Sequence, residues 1–184
     1  MEELLVTETN LFSHAHWHHI QGFPFFNPFF IPGNEFRIFG GSSLPMPIEE
    51  VLNQQMNPPC FPVKKDLFGA KISYKDVKPG EVIEGKNYKI NIAPLYHPNG
   101  CYAYRIDHKD QSLVFATDCE HYEDRPNTNL IDLSRDADVL IYDSQYTEDS
   151  IMGEMENFPE KVGGTAQCGK VSRLPKQPML KNLF

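Results

Sequence analysis

Positive charge, paired cysteines and long apolar runs are all scarce in this sequence. Seventeen Lys and Arg against 25 Asp and Glu leave a net charge of −8 over 184 residues, with a pI near 5.3. Without a basic footprint, neither DNA nor other long nucleic acid is expected as a ligand. A small phosphorylated molecule stays open, because a bound metal reverses the local sign of the field. The four cysteines, Cys60, Cys101, Cys119 and Cys168, form no CxxC pair, which argues against a zinc knuckle and a disulfide framework and points to the reducing cytoplasm. No window approaches 18 uncharged apolar residues, so no membrane span is expected. The opening MEELLVTETN lacks the basic region and apolar stretch of a signal peptide. Repeats, low-complexity tracts and linkers are also missing. With 40% hydrophobic and 23% charged residues, a single domain over 1–184 with its own core is expected.

Turn residues are plentiful, with 15 Pro and 12 Gly. Between them, LLVTETNLF (4–12) reads as a strand, FRIFG (36–40) as a short buried strand and PIEEVLNQQM (47–56) as a helix opened by proline. A run of strands follows at AKISYKDV, YKINIAPL, CYAYRID and SLVFATD, with turns at KPGE and HKDQ. NTNLIDLSRDA predicts a short helix and DVLIYDSQ a buried strand. The intervening IQGFPFFNPFFIPGN carries three prolines and leaves room for a short helical turn at most. Several strands end in loops bearing His or Asp: His14, His97, Asp118 and Asp143. An open α/β site uses ligands in such places.

The densest chemistry lies in SHAHWHHIQG, Ser13 to Gly22, with four histidines in the six positions 14–19. Two histidines one residue apart in a loop can aim their rings at one ion, and imidazole suits zinc well. His14 and His16 have that spacing; His18 and His19 follow within one turn and can face a second ion. Phe12, Trp17 and Ile20 around them argue against a solvated surface loop. No Ser or Cys sits in a nucleophile elbow, which disfavours a triad.

Four segments, LFSHAHWHHIQGFPFF, the HPNG at 97–100, FATDCEH at 115–121 and ADVLIYDSQYT at 137–147, together resemble the metallo-β-lactamase fold, nearest the phosphodiesterase-like and RNase Z-like hydrolases. The hallmark of that family is His-x-His-x-Asp-His followed by a distant His, a distant Asp and a final His. The resemblance implies an α/β fold, the αββα sandwich, here incomplete. It implies that His14, His16 and His97 hold a first metal, that His19 belongs to a second and that Asp118 bridges the two. Metal-assisted hydrolysis follows, with two ions clamping the attacking and leaving oxygens. Zinc is the expected ion, one or two per chain, with manganese or iron as alternatives.

Three departures from that pattern bear on activity. His18 stands where the family has an aspartate, so the fourth histidine replaces an anionic ligand with a neutral one. Gly163, Gly164, Thr165 and Ala166 occupy the place of a Gly-His-Ser-Thr phrase, and its leaving-group histidine is missing. The last family ligand, a histidine ending a late strand, has no counterpart in VSRLPKQPMLKNLF, where Pro175 and Pro178 interrupt an implied helix. Only about ten residues precede the histidines where relatives have several strands. The chain therefore reads as part of a larger hydrolase or as a partial copy, with one tight ion favoured over two.

Asp118 and His18 are the residues expected to carry catalysis, and His14, His16, His18, His19, His97 and Asp118 the metal ligands. The substrate class is a small phosphodiester; the rivals are ester, thioester or lactone hydrolysis and an inactive copy keeping at most one ion. A homodimer is an open possibility. Phe23, Phe25, Phe26, Phe29, Phe30, Phe36 and Phe39 are expected to pack the core rather than line a pocket. Asp143 reads equally as support for a ligating histidine or as a turn residue. His108 and His121 read as solvent-exposed, Ser13 as the maker of a local loop hydrogen bond, and the cysteines as small apolar packing groups.

Overall fold

The computed structural model describes residues 5–41, 46–59, 61–120, 122 and 126–143. The chain divides at Lys78 and Pro79 into two compact units.

The first unit is built on a parallel three-stranded sheet of β1 (Thr7–Leu11), β2 (Glu35–Gly40) and β3 (Lys71–Asp76), in that order. Thr7 lies opposite Glu35 and Leu11 opposite Phe39; Glu35 in turn lies opposite Lys71. Parallel neighbours require crossovers. Between β1 and β2 the chain makes the short helix α1 (Trp17–Ile20) and two 3-10 turns at Phe23–Phe25 and Asn27–Phe30. Pro24 and Pro28 enter these turns near their starts and forbid anything longer. Between β2 and β3 lies α2 (Ile48–Gln54). Its first residue follows Pro47, which offers no side-chain cap, and Asp76 at the end of β3 replaces it by accepting from Ile48 N at 2.7 Å. Phe36 and Ile38 alternate inward along β2 and meet Ile48, Leu52 and Met56 together with Ile20, Phe23 and Phe29. The expected phenylalanine core is therefore present: Phe29 meets Phe23 at a tilt and Phe36 edge-on, with ring centres 5.0 and 4.8 Å apart. Phe25 departs from it, 70% exposed, with its ring against Phe61. Buried Asn34 fastens the aromatic loop, accepting from Val6 N and donating to Pro28 O, both at 2.9 Å.

The second unit is a five-stranded sheet of β4 (Val82–Glu84), β5 (Tyr88–Leu95), β6 (Cys101–His108), β7 (Gln111–Ala116) and β8 (Val139–Tyr142), hydrogen-bonded in that order. β4 to β7 run antiparallel, and β8 lies parallel to β7 after a crossover through α3 (Thr128–Leu133). Its core gathers Leu95, Cys101, Ala103, Val114, Ala116, Cys119, Leu130, Ala137 and Leu140. Asp138 enters β8 with its carboxylate accepting from Ser112 N and Ser112 Oγ, which pins β8 to the start of β7. Among the described residues no helix is long and apolar enough to cross a membrane.

Candidate metal centre

In the first unit the ladder continues one residue past β1, Phe12 N donating to Phe39 O at 2.8 Å. The chain then leaves the sheet at Ser13 and His14, both buried, His14 to 1% exposure. His14 Nε2 lies 3.1 Å from His16 Nδ1. Two nitrogens sharing one tetrahedral zinc at ~2.05 Å each stand about 3.3 Å apart, so the pair is spaced for a common ion. His14 Nδ1 meets Ser13 Oγ at 3.2 Å. With Nδ1 donating to that hydroxyl, Nε2 keeps its lone pair and turns it toward His16.

His16 precedes α1, and His19 N donates to its carbonyl at 2.9 Å, which winds His18 and His19 back toward His14. The rings of His14 and His19 are 4.2 Å apart, as are those of His18 and His19; His14 and His18 are 6.3 Å apart. One ring nitrogen from each of His14, His18 and His19 falls within 4.8 Å of the others. All four histidines of the segment therefore belong to one cluster. Trp17, one of the apolar residues that argued against a solvated loop, is 72% exposed, while Ile20 is in the core. Imidazole nitrogens brought this close can share a cation, and this donor set fits a divalent ion that prefers nitrogen.

In the second unit, His97 follows β5 and Asp118 follows β7. The loops holding them are joined twice: Glu120 N donates to Tyr96 O at 2.7 Å, and Cys101 Sγ reaches Thr117 O at 3.5 Å. Tyr122 braces the same place, its hydroxyl donating to Glu120 Oε2 at 2.6 Å and its ring edge-on to Tyr96 at 5.6 Å. Asp118 is 6% exposed and has φ of +59°, a left-handed conformation that aspartate tolerates better than most residues. Asn99 and Gly100, with φ of +63° and +80°, return the His97 loop to β6.

Cys119, beside Asp118, is fully buried, and that burial pushes its thiol up to about 11; the charges of Glu120 and Asp143 act in the same direction. Asn127 opposes the shift by donating to Cys119 Sγ at 3.2 Å. His108 ends β6, exposed as expected. His121, Cys60, Cys168, Gly163 to Ala166, Pro175 and Pro178 lie outside the described residues. The reading from sequence anticipated a local hydrogen bond at Ser13 without its partner, and it did not anticipate Asn127, Tyr96 or Tyr122. Only the Ser-His adjacency carried any signal for the first; the others act through packing distant in sequence.

A model of the beta-lactamase superfamily domain matches residues 8–171. No curated protein sequence matches the chain significantly. Among solved structures, the metallo-β-lactamase fold protein YhfI from Bacillus subtilis is 20% identical with a TM-score of 0.54, over 77% of this chain and 52% of that one. The short form of human tRNase Z is 10% identical with a TM-score of 0.62, over 90% and 66%. Zinc-bound PqqB from Methylobacterium extorquens is 14% identical with a TM-score of 0.54, over 81% and 50%. In each case this chain spans less than two thirds of the other protein's length. The likenesses show the α/β metallo-β-lactamase fold.

Proposed function

Because this chain belongs to the beta-lactamase superfamily, we propose that it is a metal-dependent hydrolase of small phosphodiesters. The observation that carries the reading is the 3.1 Å approach of His14 Nε2 to His16 Nδ1 within a cluster of four imidazoles. The short form of human tRNase Z supports phosphodiester chemistry, and zinc-bound PqqB supports zinc. The net charge of −8 favours a small substrate over tRNA.

His14, His16 and His97 are the proposed donors of a first ion. His19 and His18 would hold a second, and Asp118 would supply the carboxylate of the set. When bound, such ions acidify water toward neutral pH and draw off the charge that builds on a phosphoryl group. Ser13 Oγ beside Nδ1 holds the His14 ring with Nε2 toward His16. Asp118 adds the single negative charge to an otherwise neutral set, and its left-handed backbone fixes where the carboxylate sits. His18, at the exposed edge of the cluster, would hold the ion through one nitrogen, and its remaining ring N–H could donate to a leaving oxygen of the substrate.

Turnover of bis(p-nitrophenyl) phosphate by the zinc-loaded chain tests this, beside p-nitrophenyl acetate. The phosphodiester is expected to be cleaved, and the activity to vanish on chelation and in His14→Ala. Cleavage of the acetate alone would replace the phosphodiester with an ester, thioester or lactone. Failure on both with zinc bound would leave the inactive copy.

A further inference from the structure

Trp17 is the chain's single tryptophan, and it stands exposed between two of the proposed metal donors, His16 and His18. We propose that its indole is the platform on which a flat aromatic group of the substrate stacks. The centre then takes phosphodiesters that carry a nucleobase or an aryl ring in preference to aliphatic ones. The proposal rests on the phosphodiester reading above and goes on to say what the ester group is.

Tryptophan is highly buried on average, because its large ring gains much from leaving water. Here the local backbone denies it that place. Gln21 N donates to Trp17 O at 2.8 Å and His19 N to His16 O at 2.9 Å, so the chain is wound on both sides of the residue. Ile20 anchors the same turn in the phenylalanine core, and Trp17 is left toward solvent. Among the described residues its ring makes no aromatic contact, unlike exposed Phe25, which leans on Phe61. The indole is thus an apolar plane held in water on a fixed backbone.

Its position says what covers it. Ser13 and His14 are buried, whereas Trp17 and His18 are exposed side by side. The histidine segment is therefore open to an incoming molecule where the indole stands. Consecutive Cα atoms are ~3.8 Å apart, so a phosphate held at the cluster brings its ester group within reach of the ring. From Thr9 to Asn34 the sequence has no Asp, Glu, Lys or Arg. This stretch offers the ester group no charge to pair with, and the indole is what remains to recognise it. A flat ring answers such a plane best, because stacking matches apolar face to apolar face whatever the substituents at the ring edge.

A single tryptophan makes the site its own reporter. The zinc-loaded chain is titrated with the product-like ligands adenosine monophosphate, phenyl phosphate and ribose phosphate while indole fluorescence is followed. Equilibrium dialysis measures the same affinities for wild type, Trp17→Ala and Trp17→Phe, with circular dichroism and mass spectrometry checking that the variants are folded and loaded with metal. Adenosine monophosphate is expected to quench the indole saturably, and ribose phosphate to leave it nearly unchanged. Trp17→Ala is expected to weaken adenosine monophosphate by about 5–100-fold and Trp17→Phe to keep most of its affinity, while ribose phosphate binds each chain alike. Quenching by phenyl phosphate in place of the adenosine compound would assign the plane to an aryl ester. Equal affinity of wild type and Trp17→Ala for adenosine monophosphate would overturn the proposal and leave the hydrolase reading standing. So would fluorescence that responds to protein concentration and to no ligand, the sign of a second copy seated on the indole. No binding of any of the phosphates by the zinc-loaded wild type would overturn both.

Discussion

Ser13 Oγ lies 3.2 Å from His14 Nδ1, and the serine is 7% exposed. In such a sheltered place the hydroxyl constrains the orientation of the ring. Ser13→Ala should therefore weaken zinc binding by about 10–100-fold, while Ser13→Thr keeps most of it. Chelator competition measures the loss. Nitrogen NMR of the metal-free ring shows whether the variant changes which nitrogen carries the proton, a readout that a general loss of stability would not move. Cys119 offers a second test at this scale. Its thiol ionises at about 11 in the folded chain against 9.0 ordinarily. Above pH 9 the unfolded chain releases this proton and the folded chain does not, so stability falls as pH rises from 9 toward 11. The contribution at stake is on the order of 2 kcal/mol. The difference in urea midpoint between wild type and Cys119→Ala should change across that window and stay level below it. In the native chain at pH 8, iodoacetamide should leave the peptide bearing Cys119 unlabelled.

Elements were legible from sequence where a period had room to repeat. β5 occupies Tyr88–Leu95, the bounds its alternating pattern predicts, and β2, β3, β6, β7, β8 and both longer helices follow the same logic to within a few residues at each end. β4 was missed: its three residues, one of them buried, are too few for a period to register. The start of α3 shows a local signal with a remote consequence. Asn127 accepts from Leu130 N at 3.1 Å as a conventional N-cap. The same side chain donates to Cys119, so the helix start also braces the loop of Asp118. Asn127→Ala should cost about 1–2 kcal/mol in urea denaturation through the lost cap and the thiol left without its donor. Asn127→Asp should recover the part owed to the cap.

At the scale of the whole molecule, an ion that binds the folded chain and not the unfolded one stabilises the fold, so bound metal is expected to raise stability. Zinc at about 100 times its dissociation constant should add about 2.7 kcal/mol. For a chain of this size that raises the melting temperature by about 5–10 °C. Differential scanning calorimetry with and without a chelator measures the shift. His14→Ala should abolish it, which separates a specific centre from loose binding at the surface.

The sequence by itself determined the donor inventory. Four histidines in six positions, a fifth at 97 and an aspartate at 118 are facts of covalent order, and the period of the strands around them placed each at a strand end. It also determined that position 18 carries no charge of the kind a carboxylate brings. Tertiary structure alone decided which atoms meet. The choice of Nε2 on His14 and Nδ1 on His16, the return of His18 and His19 toward His14, and the joining of the His97 and Asp118 loops through Glu120 N and Tyr96 O depend on ring orientation and on contacts between residues far apart in sequence. The same holds for the aromatic residues. Phe29 is buried and Phe25 exposed within one stretch of similar composition, because proline-started turns point successive side chains in directions that composition does not encode.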